Sequence, residues 1–462
     1  MPIWPPAPGS LKRPAYRALA QTVIDAVAAG ELTSGTRLPP HRTLAYELGV
    51  SVQTVSRAYE ELARLGVVSG EVGRGSFVRS LSGDPRTPWH RIDGSEEVID
   101  LSMLTPALSK THARRFAATL TEIAGDLPAP VAFSFRPTAT LQSHIDHAVR
   151  WLGRCGVEAE REQVLPTNGN TAAMAVAMLT AAAPGDTIAT EEMGHHTLKA
   201  LTGSLGLRLQ GLPIDAEGVL PDALDRACRA SPIRAVFLMP EGLGPLALRM
   251  GETRRSEVAA VCRRHDVAII ENDAWGPLGA ERGTPFAALA PERTFYFTGL
   301  TKCCLPGLRI AWLVSPPRQA TAARTRHLVT NWMATALMAE IATRWLADGT
   351  ASELVRWQRA ALGARNEVAQ QILGPHGIRA TPHGLHVWLP LRPPWEEGAF
   401  VALARHNGVA VAGGMAFAIS EATQHRGVRI CLGAPDGRAF ERGLHTLARL
   451  AISEPELAHL AF

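Results

Sequence analysis

Apolar residues recur at helical spacing near the start of the chain. Tyr16, Leu19, Val23, Ile24 and Val27 share a helix face behind Pro14, a residue tolerated in a first turn, and Gly30 marks the end. Gly35-Thr36-Arg37-Leu38-Pro39-Pro40 reads as a turn. A second short helix turns Leu44, Ala45 and Leu48 inward and closes at Gly49. Ser51 is the N-cap candidate of a third helix. Val55, Tyr59, Leu62 and Leu65 lie on one face of it, Gln53, Thr54, Arg57 and Arg64 largely on the others, and Gly66 stops it. Val67-Val68 and Phe77-Val78 then bracket a glycine-rich stretch, the pattern of a β-hairpin with Arg74 near its tip.

A different pattern begins at Val98. Short apolar or β-branched runs at 187–190, 235–239, 267–270, 294–297 and 310–314 read as buried strands. Helical stretches such as 171–183, 221–230 and 252–265 lie between some of them, an α/β doubly wound pattern. Ligands of such sheets bind at strand ends, so the residues after each strand are the candidates for chemistry. Between the two patterns, residues 80–97 carry Ser, Gly, two prolines and mixed charge, a linker composition in which Trp89 is placed to dock on a domain. The expected organisation is multidomain: an α+β head at 11–79, a linker at 80–97 and an α/β body at 98–462.

Composition narrows the class. A chain of 462 residues, 46% of them hydrophobic, can hold two or three domains and an enzyme-sized core. Gly and Pro show no period, which excludes collagen and low-complexity tracts. The longest weakly polar run, Thr171–Ala183, is too short to span a membrane, and Met-Pro-Ile-Trp-Pro-Pro lacks the features of a signal peptide. Six scattered cysteines form no CxxC or metal spacing, and Cys303-Cys304 read as small packing residues. A soluble, reduced, cytoplasmic protein with no metal and no membrane partner is expected.

Charge then locates a partner. The net charge is +4, and the first 80 residues alone carry nine basic and six acidic residues, +3 of that total. Three helices and a basic hairpin make a winged helix-turn-helix, whose third helix meets base edges in the major groove of double-stranded operator DNA while arginines elsewhere neutralise phosphates. The candidate DNA contacts are Arg42, Ser51, Gln53, Thr54, Arg57, Arg74, Gly75 and Ser76.

Leu38-Pro39-Pro40-His41-Arg42-Thr43-Leu44-Ala45, Gly49-Val50-Ser51-Val52-Gln53-Thr54-Val55, Ala58-Tyr59-Glu60-Glu61-Leu62 and the terminal Gly73-Arg74-Gly75-Ser76-Phe77-Val78 together resemble the DNA-binding domain of the GntR superfamily. One departure stands out: the family usually carries arginine after the serine placed at Ser51, and here that residue is Val52. A base or phosphate contact is lost there, so the target sequence or affinity should differ.

In the body, Ile269-Ile270 is followed by Glu271-Asn272-Asp273-Ala274-Trp275-Gly276. Phe295-Tyr296-Phe297 is followed by Thr298-Gly299-Leu300-Thr301-Lys302 and then Pro306-Gly307-Leu308-Arg309. A lysine between a buried strand and a Pro-Gly turn is desolvated, which lowers its pKa and suits it to Schiff-base chemistry. An acid at a neighbouring strand end can pair with a protonated pyridine nitrogen, and an arginine seven residues past the lysine can clamp a phosphate. This stretch resembles fold-type I pyridoxal phosphate (PLP) enzymes of the class I aminotransferase group. Paired with a GntR head, the chain is identified as a member of the MocR subfamily of transcription regulators.

The resemblance implies that Lys302 is the internal-aldimine lysine, that Arg309 holds the cofactor phosphate together with the amides of Gly169, Asn170 and Thr171, and that Arg429 binds the carboxylate of a small amino-compound effector. It also implies a homodimer. Several tuning residues depart from the family. Its acid–acid–x–Tyr region reads Asn272-Asp273-Ala274-Trp275, so the pyridine partner is either Asp273 or Asn272, and Trp275 replaces the tyrosine that contacts the phenolic oxygen. The Asn-Pro-Thr-Gly motif reads Gly244-Pro245-Leu246-Ala247, and the serine three before the lysine is Gly299. His195 stands in for the ring-stacking aromatic; alternatively His195-His196 is a local surface pair, with side chains that diverge and form no metal site. A retained lysine and phosphate clamp with eroded ring contacts fits a sensor better than a catalyst. The alternatives are an active aminotransferase with a fused DNA-binding head, or a regulator whose effector domain has lost PLP.

Overall fold

The computed structural model describes residues 4–6, 11, 14–28, 31–32, 36–64, 67–71, 75–78, 98–133, 142–279, 281–420, 425–433 and 436–453. The chain divides into two compact units, residues 1–95 and 96–462. Gly30, Leu65, Gly66, Arg74 and the 80–97 linker with Trp89 lie outside the described residues, as does the side chain of Arg64.

In the first unit, helices α1 (Ala15–Ala28), α2 (His41–Leu48) and α3 (Val52–Arg64) pack around Leu19, Val23, Leu44, Leu48, Val55 and Leu62. Gly49 ends α2 in the left-handed region, at φ 67°, and returns its N–H to the carbonyls of Ala45 and Tyr46. Ser51 caps α3 as its sequence position predicts, its hydroxyl accepting the Thr54 N–H at 3.1 Å. Strands β1 (Val68–Glu71) and β2 (Gly75–Val78) pair antiparallel, with Val68 opposite Val78. Arg37 bridges Phe77 on the other side of β2. Three helices and this hairpin are a winged helix-turn-helix.

The second unit opens with β3 (Ile99–Asp100) and the helices α4 (Lys110–Asp126), α5 (Ala129–Phe133) and α6 (Gln142–Arg154). Next come β4 (Val164–Thr167), then β5 (Thr187–Glu191) after helix α7 (Asn170–Ala181), and β6 (Arg208–Leu212). A small hairpin, β7 (Ile214–Asp215) and β8 (Gly218–Val219), precedes β9 (Ile233–Leu238), β10 (Ala268–Asn272), β11 (Thr294–Gly299) and β12 (Ala311–Val314). Seven of them form one sheet in the order β4-β12-β11-β10-β9-β5-β6. All neighbours are parallel except at β12, which runs antiparallel to both β11 and β4. The five strands expected from sequence are its interior. The two it did not reveal, β4 and β6, are its edges.

Strand alternation feeds two cores. Val236 and Leu238 of β9 pack with Val258, Val261 and Phe286, whereas Ala235 and Phe237 belong to the cluster that holds Met174 and Ala177 of α7. A second sheet is built from β13 (Arg379–Ala380), β14 (His386–Pro390), β16 (Ala412–Gly413) and β17 (Gly427–Cys431). The remaining strand, β15 (Val409–Ala410), pairs parallel with β3, so the segment entering the body lies against its C-terminal sheet. Cys431 N–H donates to Leu101 O at 2.8 Å and extends that seam.

Candidate functional site

The carboxyl ends of the parallel strands open on a cavity of about 200 Å³. Asn170 and Thr171 reach it from the turn after β4, His195 and His196 from the turn after β5, Asn272 from β10, Lys302 from the turn after β11, and Arg429 from β17. Residues scattered over more than half of the chain thus converge, most of them from strand ends of the parallel sheet and Arg429 from the middle of a strand in the second sheet.

The phosphate-sized end is built from backbone and one arginine. Gly169 precedes α7 at φ 80°, a conformation that favours glycine, and a Cβ there would stand 3.0 Å from the Arg309 guanidinium. Arg309 itself holds a left-handed φ of 44° after the Pro306–Leu308 turn, which swings its exposed side chain over Gly169. No side chain caps α7, so its first amides remain for a ligand. Asn170 Oδ1 is buried without a hydrogen-bond partner at the same place. Asn168 fixes the turn, accepting the Thr335 N–H at 2.8 Å and donating to Met333 O at 3.2 Å.

Lys302 donates from Nζ to Leu104 O. Burial pushes its amine down to about 8, and the positive charges of Arg429 and Arg309 act in the same direction. Arg429 donates to Ser102 O at 2.9 Å, lies 4.6 Å from the Phe417 ring centroid, and keeps a buried Nε without a partner. Both cations therefore rest on carbonyls of the segment after β3. Sequence reading missed those two contacts: they span 198 and 327 residues and involve backbone atoms, which carry no residue signal.

Three of these readings change once the side chains are in place. Strand period two separates Asp273 from Asn272: Asn272 lines the cavity and Asp273 does not. Asp273 is 1% exposed, ion-paired with Arg282, and accepts a hydrogen bond from the Tyr296 hydroxyl. Asn272 accepts the Ala274 N–H through Oδ1 at 3.2 Å. Trp275 is also off the cavity, buried beside His386 with ring centroids 6.1 Å apart, and lines a separate recess with Arg282. His195 and His196 neither diverge nor sit on the surface. The chain turns after the Met193–Ala418 bridge instead of continuing as a strand, and the two rings stack 4.1 Å apart inside the cavity. Burial, reinforced by Lys302 and Arg429, drives the His195 imidazole down to about 3, so the ring is neutral. Gly299 has a packing reason: a Cβ there would come within 2.5 Å of Ile310 O across the β11–β12 pair, leaving no room for serine. Cys303 and Cys304 are free and fully buried.

In the head, Arg42, Ser51, Gln53 and Arg57 are exposed and Thr54 is half-buried, on α2 and the start of α3. Ser76 is half-buried on β2, which Gly75 begins. Arg74 is outside the described residues.

Residues 15–78 match the family described as bacterial regulatory proteins, gntR family. Among curated relatives, the chain is 26% identical to the uncharacterized HTH-type transcriptional regulator YdeF of Bacillus subtilis, over 97% of this chain and 96% of that one. It is 28% identical to the probable rhizopine catabolism regulatory protein MocR of Rhizobium meliloti, over 66% of each. Over most of its length the chain is similar to these regulators. A further relative, the vitamin B6 salvage pathway transcriptional repressor PtsJ of Salmonella typhimurium, is 26% identical over 88% of this chain and 91% of that one. The body has the fold-type I aminotransferase fold. An archaeal alanine:glyoxylate aminotransferase superposes with a TM-score of 0.70 at 20% identity, covering 80% of this chain and 92% of that one. Pyrococcus horikoshii kynurenine aminotransferase superposes at 0.69 and 19%, covering 77% and 91%. Among the described residues, no helix is long and apolar enough to cross a membrane.

Proposed function

We propose that this MocR-type regulator binds operator DNA through its head and senses PLP, an amino compound, or both through its aminotransferase-like body, with Lys302 as the residue that bonds the cofactor. The observation that carries the reading is the convergence of Lys302, Arg309, Arg429 and the start of α7 on one cavity, in a chain that also carries a GntR head. The donor set suits PLP: an arginine and helix amides for a dianion, a desolvated amine for an aldehyde, and a neutral stacked histidine pair beside them. The relative PtsJ, named for vitamin B6 salvage, supports the same chemistry.

PLP, when bound, supplies an aldehyde that condenses with amines. The fate of a bound ligand then depends on this chain's residues. Arg309 and the α7 amides hold the phosphate, and Lys302 presents a largely desolvated Nζ. Arg429, with its free Nε, takes a carboxylate. Asn272 puts an amide where an acid would keep a proton on the pyridine nitrogen, so little electron withdrawal is available for transamination. The site is therefore one for binding rather than turnover.

Engagement of Lys302 and Arg429 by ligands would withdraw donors from Leu104 O and Ser102 O, in the segment C-terminal to the linker. That gives ligand binding a differential contact through which to bias the DNA-binding head. We place the protein in the cytoplasm as a homodimer, the assembly that an operator with two half-sites calls for. Visible spectroscopy with PLP before and after borohydride, on wild type and Lys302→Ala, tests the cofactor assignment. Sedimentation tests the dimer, with monomer at micromolar concentration as the contrary result.

A further inference from the structure

The exposed face of α3 carries few groups free to read a base. The Ser51 hydroxyl accepts the Thr54 N–H at 3.1 Å and lies 2.8 Å from the Thr54 hydroxyl, so these two groups largely satisfy one another. Ser56 lies 3.1 Å from His41 Nδ1, which ties α3 to α2. Val52, Gln53 and Arg57 remain exposed on the first two turns. Gln53 and Arg57 offer an amide and a guanidinium. Val52, the first residue of α3, is 44% exposed and offers only methyl groups.

The first turn of the second helix in a helix-turn-helix faces base edges in the major groove. The apolar feature of an unmodified duplex in that groove is the C5-methyl of thymine. An isopropyl group cannot donate to guanine or accept from cytosine, and it would strand either one's polar edge. It lies outside the head's core cluster, to which α3 contributes Val55, Ala58, Tyr59 and Leu62.

We propose that Val52 is a specificity determinant of the DNA reader, packing against a thymine methyl in each half-site and selecting a T·A pair there. This rests on DNA binding by the head and is independent of the cofactor assignment.

The test uses the full-length protein to select duplexes from a random library. Thymines of the selected sequence are then replaced by deoxyuridine, one symmetric pair at a time, which removes the methyl and keeps the hydrogen-bonding edge. Burial of one methyl is worth about fourfold in affinity, about 15-fold for a symmetric pair. One pair is expected whose replacement weakens wild type by that factor and leaves Val52→Ala unchanged. Val52→Arg is expected to select guanine at the same position. Deoxyuridine effects that are the same in wild type and Val52→Ala at every position would overturn the proposal, with equal thermal unfolding of the two proteins showing that the head is intact. If wild type enriches no duplex, the DNA-reader assignment fails and takes this proposal with it, an outcome separate from the first.

Discussion

The two ends of the body's cavity have been treated differently. At one end, Arg309 folds over Gly169 through two left-handed backbone positions and a helix start is left uncapped. The left-handed Arg309 is a strained position, and with the uncapped helix start it suits an anion. At the other end Asn272 lines the cavity, Asp273 is ion-paired away from it with Arg282, and Trp275 faces a separate recess. Affinity and electronic tuning are thus separable in one fold. On the proposed reading, the site keeps the groups that hold a ligand and lacks those that activate it.

Substitutions at the two ends should therefore behave differently. Arg309→Ala is expected to weaken PLP binding by about 100-fold, the loss of a charge-assisted bidentate contact, measured by titrating the visible absorbance. Asn272→Asp at the other end should leave PLP affinity nearly unchanged but raise single-turnover conversion of PLP to its amine form by about 100-fold. Equal and opposite behaviour of the two variants would erase the distinction. Between the two ends, Lys302 titrates at about 8 in place of its ordinary 10.5. Its neutral fraction falls as pH drops below about 8, so covalent capture of PLP should slow about tenfold per pH unit there and level off above it. A stopped-flow pH profile that keeps climbing to 10 would mean the amine is solvated. The smallest effect belongs to the head. Arg42→Ala, on an exposed position of α2, should lower the salt dependence of DNA binding by a slope of about 0.9 while leaving the body's ligand affinity unchanged.

What sequence reveals about such a chain depends on where a residue sits in the sheet. The interior strands were legible because both faces are buried, giving continuous runs such as Thr294–Gly299. The edge strands were not. Pro166 interrupts β4, which an edge position tolerates because one row of backbone groups goes unpaired, and β6 mixes Arg208 and Gln210 with leucines. Lys302 and Arg309 were legible from the strand-and-turn pattern around them. Asn272 against Asp273 was not, since a one-residue shift in alignment changes which of the two faces the cavity, and adjacent strand residues face opposite ways. The stacking of His195 on His196 was not legible for a related reason: adjacent side chains diverge only while the backbone stays extended, and it turns after Met193. Leu104 and Ser102 contribute carbonyls, which every residue type owns.

The central claim is that the body binds PLP through Lys302, and the visible spectrum of the purified protein with PLP tests it most directly. Wild type should develop an absorbance band that borohydride abolishes while fixing the cofactor to the peptide containing Lys302, and Lys302→Ala should show neither the band nor the adduct. The same band and adduct in Lys302→Ala, or a colourless wild type in excess PLP, would contradict the account.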